Sequence, residues 1–149
     1  MADPKFPEFT FGTSLRWTGA LGGVLSSPEK PDIEVHCPPQ FCGGPADKWS
    51  PEDFFVGSLE MCLMMTFLYN CKRLGVEISS YESSAEGITR RVDKHYCFDE
   101  VNLRIRIQAP DERSAKRAER LIHNTERTCL VSQSVKCRLN VEAEVAVAD

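Results

Sequence analysis

The segment from Ser50 to Gly75 constrains the chain more than any other. Ser50-Pro51-Glu52-Asp53 supplies an N-cap serine, a proline at the first helical position and two acids where the helix dipole favours negative charge. Asp53 follows Ser50 by three residues, the place of a capping-box acid. The run FFVGSLEMCLMMTFLYNCKRL then continues to a stop at Gly75, with Lys72 and Arg73 in the last turn. Phe54, Phe55, Val56, Leu59, Met61, Leu63, Met64, Met65, Phe67 and Leu68 cover nearly every face, which predicts a helix buried on all sides. Glu60 and Asn70 interrupt it and no run of about 18 apolar residues exists, which argues against a membrane span. In a chain of 149 residues a sheet covers only one face of such a helix. A symmetric homodimer in which two of these helices share a core is the expected remedy.

The flanks read as strands and one further helix. Short extended pieces from Met1 to Gly23, broken by glycines, precede a strand at Ile33–Cys37 and a Pro/Gly-rich loop from Pro38 to Ser50. After Gly75 the helical repeat gives way to alternation, weakly over Glu77–Val92 and strongly over Cys97–Gln108, where Val101, Leu103, Ile105 and Ile107 share one face. Pro110-Asp111 opens an amphipathic helix with Ala115, Ala118, Leu121 and Ile122 on one side. Cys129–Val135 forms a short turn of helix, and Cys137 to Val147 alternates again. The order predicts one α+β domain over residues 1–149, an antiparallel sheet around a long buried central helix.

Charge narrows the partners. With 18 Lys+Arg against 22 Asp+Glu the net charge is −4, so nothing draws the chain to nucleic acid or to an anionic membrane. Seven cysteines cannot all pair within the chain. Met1–Thr10 carries prolines and charges where an export signal needs an apolar stretch, so a cytoplasmic location is expected, where thiols stay reduced.

The cysteines divide by surroundings. Cys71, Cys97 and Cys137 lie in apolar periodic segments and read as core filler. Cys37 and Cys42, with His36 beside them, form a spaced pair in a turn-rich loop. A structural zinc site needs four ligands and no second pair exists, so a disulfide or no role fits better than a metal. His95 and His123 have no motif around them. Cys62 lies mid-helix near the acid Glu60. Cys129 follows Glu126-Arg127-Thr128 and opens the segment LVSQSV, where helix N–H groups and a cation favour a thiolate.

The segment GGPADKWSPEDFFVGSLEMC resembles the OsmC/Ohr family of thiol-dependent peroxidases, in which a Pro-Glu pair starts a central helix that carries a cysteine. TCLVSQSVK is similar to the family's Cys-Pro-Val-Ser segment, with Leu130 in place of the proline, and Trp17-Thr18-Gly19 followed by Gly22-Gly23-Val24 is a weaker likeness. The resemblance spans essentially the whole chain and implies an intertwined homodimer. It implies that Cys62 attacks an organic hydroperoxide and becomes a sulfenic acid, that Cys129 condenses with it to a disulfide, and that an external thiol reduces the product. It implies no metal, haem or other cofactor. Glu52 would be the family's carboxylate, which holds an Arg that stabilises the thiolate. The stretch Gly19-Ala20-Leu21-Gly22-Gly23 lacks that Arg; Arg16 is the nearest substitute, with Arg90 and Arg91 as alternatives. Ten residues of helix put Glu52 roughly 15 Å from Cys62 along the axis, so a shared site needs Glu52 from a partner chain. Phe54, Phe55, Leu59, Met61 and Met65 would wall the peroxide's alkyl group. The missing Arg keeps a second reading open, a non-catalytic binding or interaction protein with a lipophilic pocket at the dimer interface.

Overall fold

The computed structural model describes residues 6–148. The reading of Met1–Gly23 therefore falls partly, at residues 1–5, outside the described residues. The chain divides into two compact units, residues 1–54 and 55–149.

The first unit is built on an antiparallel sheet of β1 (Ser14–Gly19), β2 (Gly22–Ser26) and β3 (Ile33–His36). The turn from β1 to β2 runs through Gly19 and Ala20, both with positive φ. After β3 the chain makes the short helix α1 (Pro39–Cys42), closed by Gly43 in the left-handed region. Here Cys37 and Cys42 are joined by a disulfide, Cα atoms 6.3 Å apart. At Gly44 any Cβ would collide with the Cys37 carbonyl oxygen, so only glycine lets the backbone pass. The loop returns to the sheet at Trp49, whose carbonyl accepts the His36 N–H at 2.9 Å.

The long helix α2 (Pro51–Leu74) starts in the way its sequence predicts. Asp53 Oδ2 accepts the Ser50 N–H at 2.8 Å, and the Asp53 N–H donates to Ser50 Oγ at 3.2 Å, the reciprocal bonds of a capping box. The helix stops at Gly75, φ 63°, where the Val76 N–H reaches back to the Cys71 carbonyl at 2.9 Å. Arg117 adds a cation there, donating to the Gly75 and Leu74 carbonyls at 2.9 and 2.7 Å.

In the second unit α2 lies on a sheet of β4 (Ser80–Val92), β5 (His95–Ala109) and β6 (Arg138–Val147), β5 in the middle. The helix α3 (Glu112–Thr125), a single 3-10 turn (Glu126–Thr128) and the short helix α4 (Leu130–Ser134) connect β5 to β6. The core gathers Leu59, Leu63, Phe67 and Cys71 of α2, Val101, Leu103, Ile105 and Ile107 of β5, Ala118 and Ile122 of α3, and Cys129. On the opposite face of the sheet Arg104 and Arg106 stand exposed near Glu142 and Glu144.

Three expectations are corrected. The sheet is mixed: β4 and β5 pair antiparallel, but β6 runs parallel to β5. A parallel neighbour requires a crossover, and α3 supplies it. The long helix is not buried on all sides within the chain. Its buried residues recur every fourth position along one stripe, whereas Met61, Met65, Leu68, Tyr69 and Leu74 are exposed. By length and composition α2 remains apolar enough to cross a membrane, a property it shares with core helices. Finally, Cys97 is exposed rather than core, because the far end of the β4–β5 hairpin, residues 90–97, extends beyond any covering helix.

Candidate functional site

Cys62 and Cys129 come together in the second unit. Cys62 projects from the middle of α2, half-buried; Cys129 is fully buried at the N-cap of α4. Their thiols are within hydrogen-bonding reach of each other and are both free. The chain enters α4 from the 3-10 turn with Cys129 in extended backbone, φ −75°, ψ 116°, which leaves the N–H groups of Val131 and Ser132 unused by the helix and turned to the sulfurs. The Val131 N–H serves Cys62, and the Ser132 N–H and hydroxyl serve Cys129. Thr66, one turn beyond Cys62 on the same helix face, brings its hydroxyl to both.

These partners separate the two thiols electrostatically. Burial pushes Cys62 up, and the adjacent Cys129 sulfur adds to this against the Val131 N–H. Burial also pushes Cys129 up, but the hydrogen bonds from the Ser132 hydroxyl, the Cys62 thiol, the Ser132 N–H and the Thr66 hydroxyl outweigh it and leave Cys129 below the ordinary thiol range. Cys71 and Cys137, by contrast, are raised chiefly by burial, the condition of inert core thiols.

Arg16 is exposed on β1 opposite Val24, without an ion-pair partner among the described residues. Glu52 lies in the first turn of α2, its Oε2 buried and without a hydrogen-bond partner among the described residues. Arg90 is committed to Asp99 and Glu100 at 2.8 Å each, and Arg91 is exposed near the end of β4. Among the described residues, no charged side chain is one of the groups that act most on either thiol. Glu60, the acid near Cys62 in sequence, accepts a 2.6 Å hydrogen bond from Ser83 Oγ. Of the expected alkyl-binding wall, Leu59 is core, Phe55 stacks on Phe98 with ring centroids 4.4 Å apart and Phe54 stacks on Trp49, leaving Met61 and Met65 exposed. The Cys37–Cys42 disulfide occupies both thiols of the considered metal set. Sequence reading missed Thr66 and Ser132, although their spacings, four residues after Cys62 and three after Cys129, were available as a signal.

A family model described as OsmC-like protein matches residues 44–144. No curated protein matches the chain. Among solved structures, an OsmC-like protein of unknown function from Vibrio cholerae is similar with a TM-score of 0.82 at 18% identity, covering 92% of this chain and 100% of its own. An organic hydroperoxide resistance protein from Elizabethkingia anophelis has a TM-score of 0.70 at 20% identity, covering 96% of this chain and 98% of its own. The organic hydroperoxide resistance protein OhrB of Bacillus subtilis has a TM-score of 0.61 at 18% identity, with 92% and 98% covered.

Proposed function

The chain belongs to the OsmC-like protein family, and on that footing we propose that it is a cytoplasmic thiol-dependent peroxidase that reduces organic hydroperoxides through Cys62 and Cys129. The observation that carries this reading is the pairing of two free thiols, one half-buried and one fully buried. A peroxide entering from solvent meets Cys62 first. The Cys62 thiolate attacks the distal peroxide oxygen, the O–O bond breaks, and the alcohol leaves with the remaining proton. The resulting sulfenate on Cys62 is then attacked by the Cys129 sulfur, which forms the disulfide and releases hydroxide. Two equivalents of an external thiol, or one dithiol, restore both thiols by exchange and leave as a disulfide. Metal and haem have no part in these steps.

The working unit in this proposal is a homodimer. The exposed side of α2 supports it, as does the buried Glu52 Oε2 that lacks a donor among the described residues. Packing two α2 helices antiparallel across a two-fold axis would carry Glu52 of one chain toward Cys62 of the other, with Arg16 as the cation of the site. One observation favours the rival, a non-catalytic binding protein: among the described residues, no charged side chain is one of the groups that act most on Cys62.

Equimolar cumene hydroperoxide added to reduced protein separates the two readings. Peptide mass spectrometry is expected to find a Cys62–Cys129 disulfide that does not form in Cys62→Ser. Thiols that survive prolonged exposure would favour the binding protein.

A further inference from the structure

We propose that Cys37 and Cys42 form a redox centre of their own, a disulfide that opens and closes by exchange with a small thiol of the glutathione class, with Cys42 as the sulfur the incoming thiol attacks. The first ground is how little the bond has to hold. It joins residues five apart across α1, none of whose residues is buried, so it ties no part of the core to another. Closing so short a loop removes the least freedom from an unfolded chain. Pro38 and Pro39, two of the four residues between the cysteines, have already removed part of that freedom by fixing φ. The second ground is access. Cys42 is exposed at the end of α1, whereas Cys37 is half-buried. The Cys37 N–H donates to the Leu21 carbonyl at 3.1 Å, the preceding His36 N–H donates to the Trp49 carbonyl at 2.9 Å, and Gly44 closes on the Cys37 carbonyl. One sulfur is thus carried by backbone held to the sheet, and the other is presented to solvent. A disulfide with an exposed sulfur is the kind that exchanges rather than the kind that staples.

A thiolate attacks the Cys42 Sγ, the bond between the two cysteine sulfurs breaks, and Cys37 leaves as a thiolate that takes a proton from water. A second small thiol then attacks the incoming sulfur of the mixed disulfide. Cys42 leaves as the second thiolate, and the two small thiols depart joined as a disulfide, having given two electrons to the protein. The same steps in reverse, with the small disulfide as oxidant, close the pair again. Reclosure is favoured because the two prolines restrict the open loop and keep the freed thiols close, which raises the effective concentration of one at the other. The pair lies wholly in the first unit, and its exchange does not depend on whether Cys62 and Cys129 reduce peroxides.

The full-length protein is equilibrated in glutathione buffers of graded composition, quenched in acid, alkylated and mapped by peptide mass spectrometry. The expected result is a Cys37–Cys42 pair that passes from disulfide to dithiol within the graded series, with glutathione adducts on Cys42 and none on Cys37. Single variants read the two sulfurs separately. With oxidised glutathione, the Cys42 left in Cys37→Ser should form its adduct about tenfold or more faster than the Cys37 left in Cys42→Ser. Pro39→Ala returns freedom to the open form and should shift the exchange equilibrium constant about two- to fivefold toward the dithiol. A pair that stays a disulfide in reduced glutathione alone is a staple, and one that stays reduced in oxidised glutathione alone is no redox couple; either result overturns the proposal. Equal adduct rates on the two sulfurs overturn the assignment of Cys42 as the point of attack, and a constant unchanged in Pro39→Ala overturns the part given to the prolines.

Discussion

Tyr81 carries its hydroxyl half-inside the core beside Ser83 and Glu60, and its pKa is pushed up to about 12, first by burial, with the Glu60 charge adding to it. The unfolded chain ionises at about 10, so the folded state binds this proton more tightly. The stabilisation is complete below about pH 10 and is lost as the pH rises through the folded value near 12. Denaturant midpoints measured across that interval should fall more steeply for wild type than for Tyr81→Phe, and parallel curves would rule this out. The same scale limits what can be read from a sequence at the thiol site. Cys62 and Cys129 stand out by residue type and by the motifs around them. Thr66 and Ser132 do not, because a hydroxyl inside an apolar helix or a short turn breaks no hydrophobic pattern. Their meaning depends on the meeting of α2 with α4, which joins positions 66 residues apart.

Among the elements, α2 was the most legible because its signals are local. Ser50, Pro51, Asp53 and Gly75 act on backbone groups within a few residues, and the structure has the capping box and the C-terminal glycine where those residues require them. The direction of β6 was not legible in the same way. Alternation along Leu139, Val141, Ala143 and Val145 is identical for a parallel and an antiparallel partner, and only the crossover through α3 decides between them. Gly87 shows a further kind of hidden constraint. On β4 it reads as a weakness in an alternating strand, yet a methyl group there would stand 2.5 Å from Val56 Cγ2 and 2.6 Å from Phe98 Cε1. The Phe55–Phe98 stack thus depends on the space that Gly87 leaves between helix and hairpin. Gly87→Ala should destabilise the protein by about 1–3 kcal/mol through overpacking, measured as a lower denaturant midpoint. An unchanged midpoint would mean that the aromatic pair can move aside at no cost.

For the whole molecule the apolar side of α2 raises the question of what covers it. The sequence pattern called for burial on every face, but periodicity does not distinguish burial against the chain's own sheet from burial against another chain. The stripe Leu59, Leu63, Phe67 and Cys71 is accounted for by the sheet. Met61, at 50% exposure, Met65, at 59%, and Tyr69, at 66%, are not. In the first unit Phe9, Phe11, Leu15 and Trp17 are exposed as well. Each large apolar side chain transferred from water to an interface contributes on the order of 1.5–3 kcal/mol, so a second copy that covers the α2 residues gains enough to hold a dimer together at working concentrations. Lysine at Met61 and Met65 leaves the fold intact, since both positions already face solvent in the single chain, but puts two charges into the proposed interface. If each costs at least about 1.4 kcal/mol there, Met61→Lys/Met65→Lys raises the dimer dissociation constant about a hundredfold or more. Sedimentation velocity at micromolar concentration should then find a dimer for wild type and a monomer for the double variant, with circular dichroism unchanged. If Glu52 acts across the two-fold axis, the monomeric variant should also form the Cys62–Cys129 disulfide more slowly under cumene hydroperoxide. Wild type that sediments as a monomer, or a double variant that stays dimeric, would move the partner of this helix face away from a second copy of the chain.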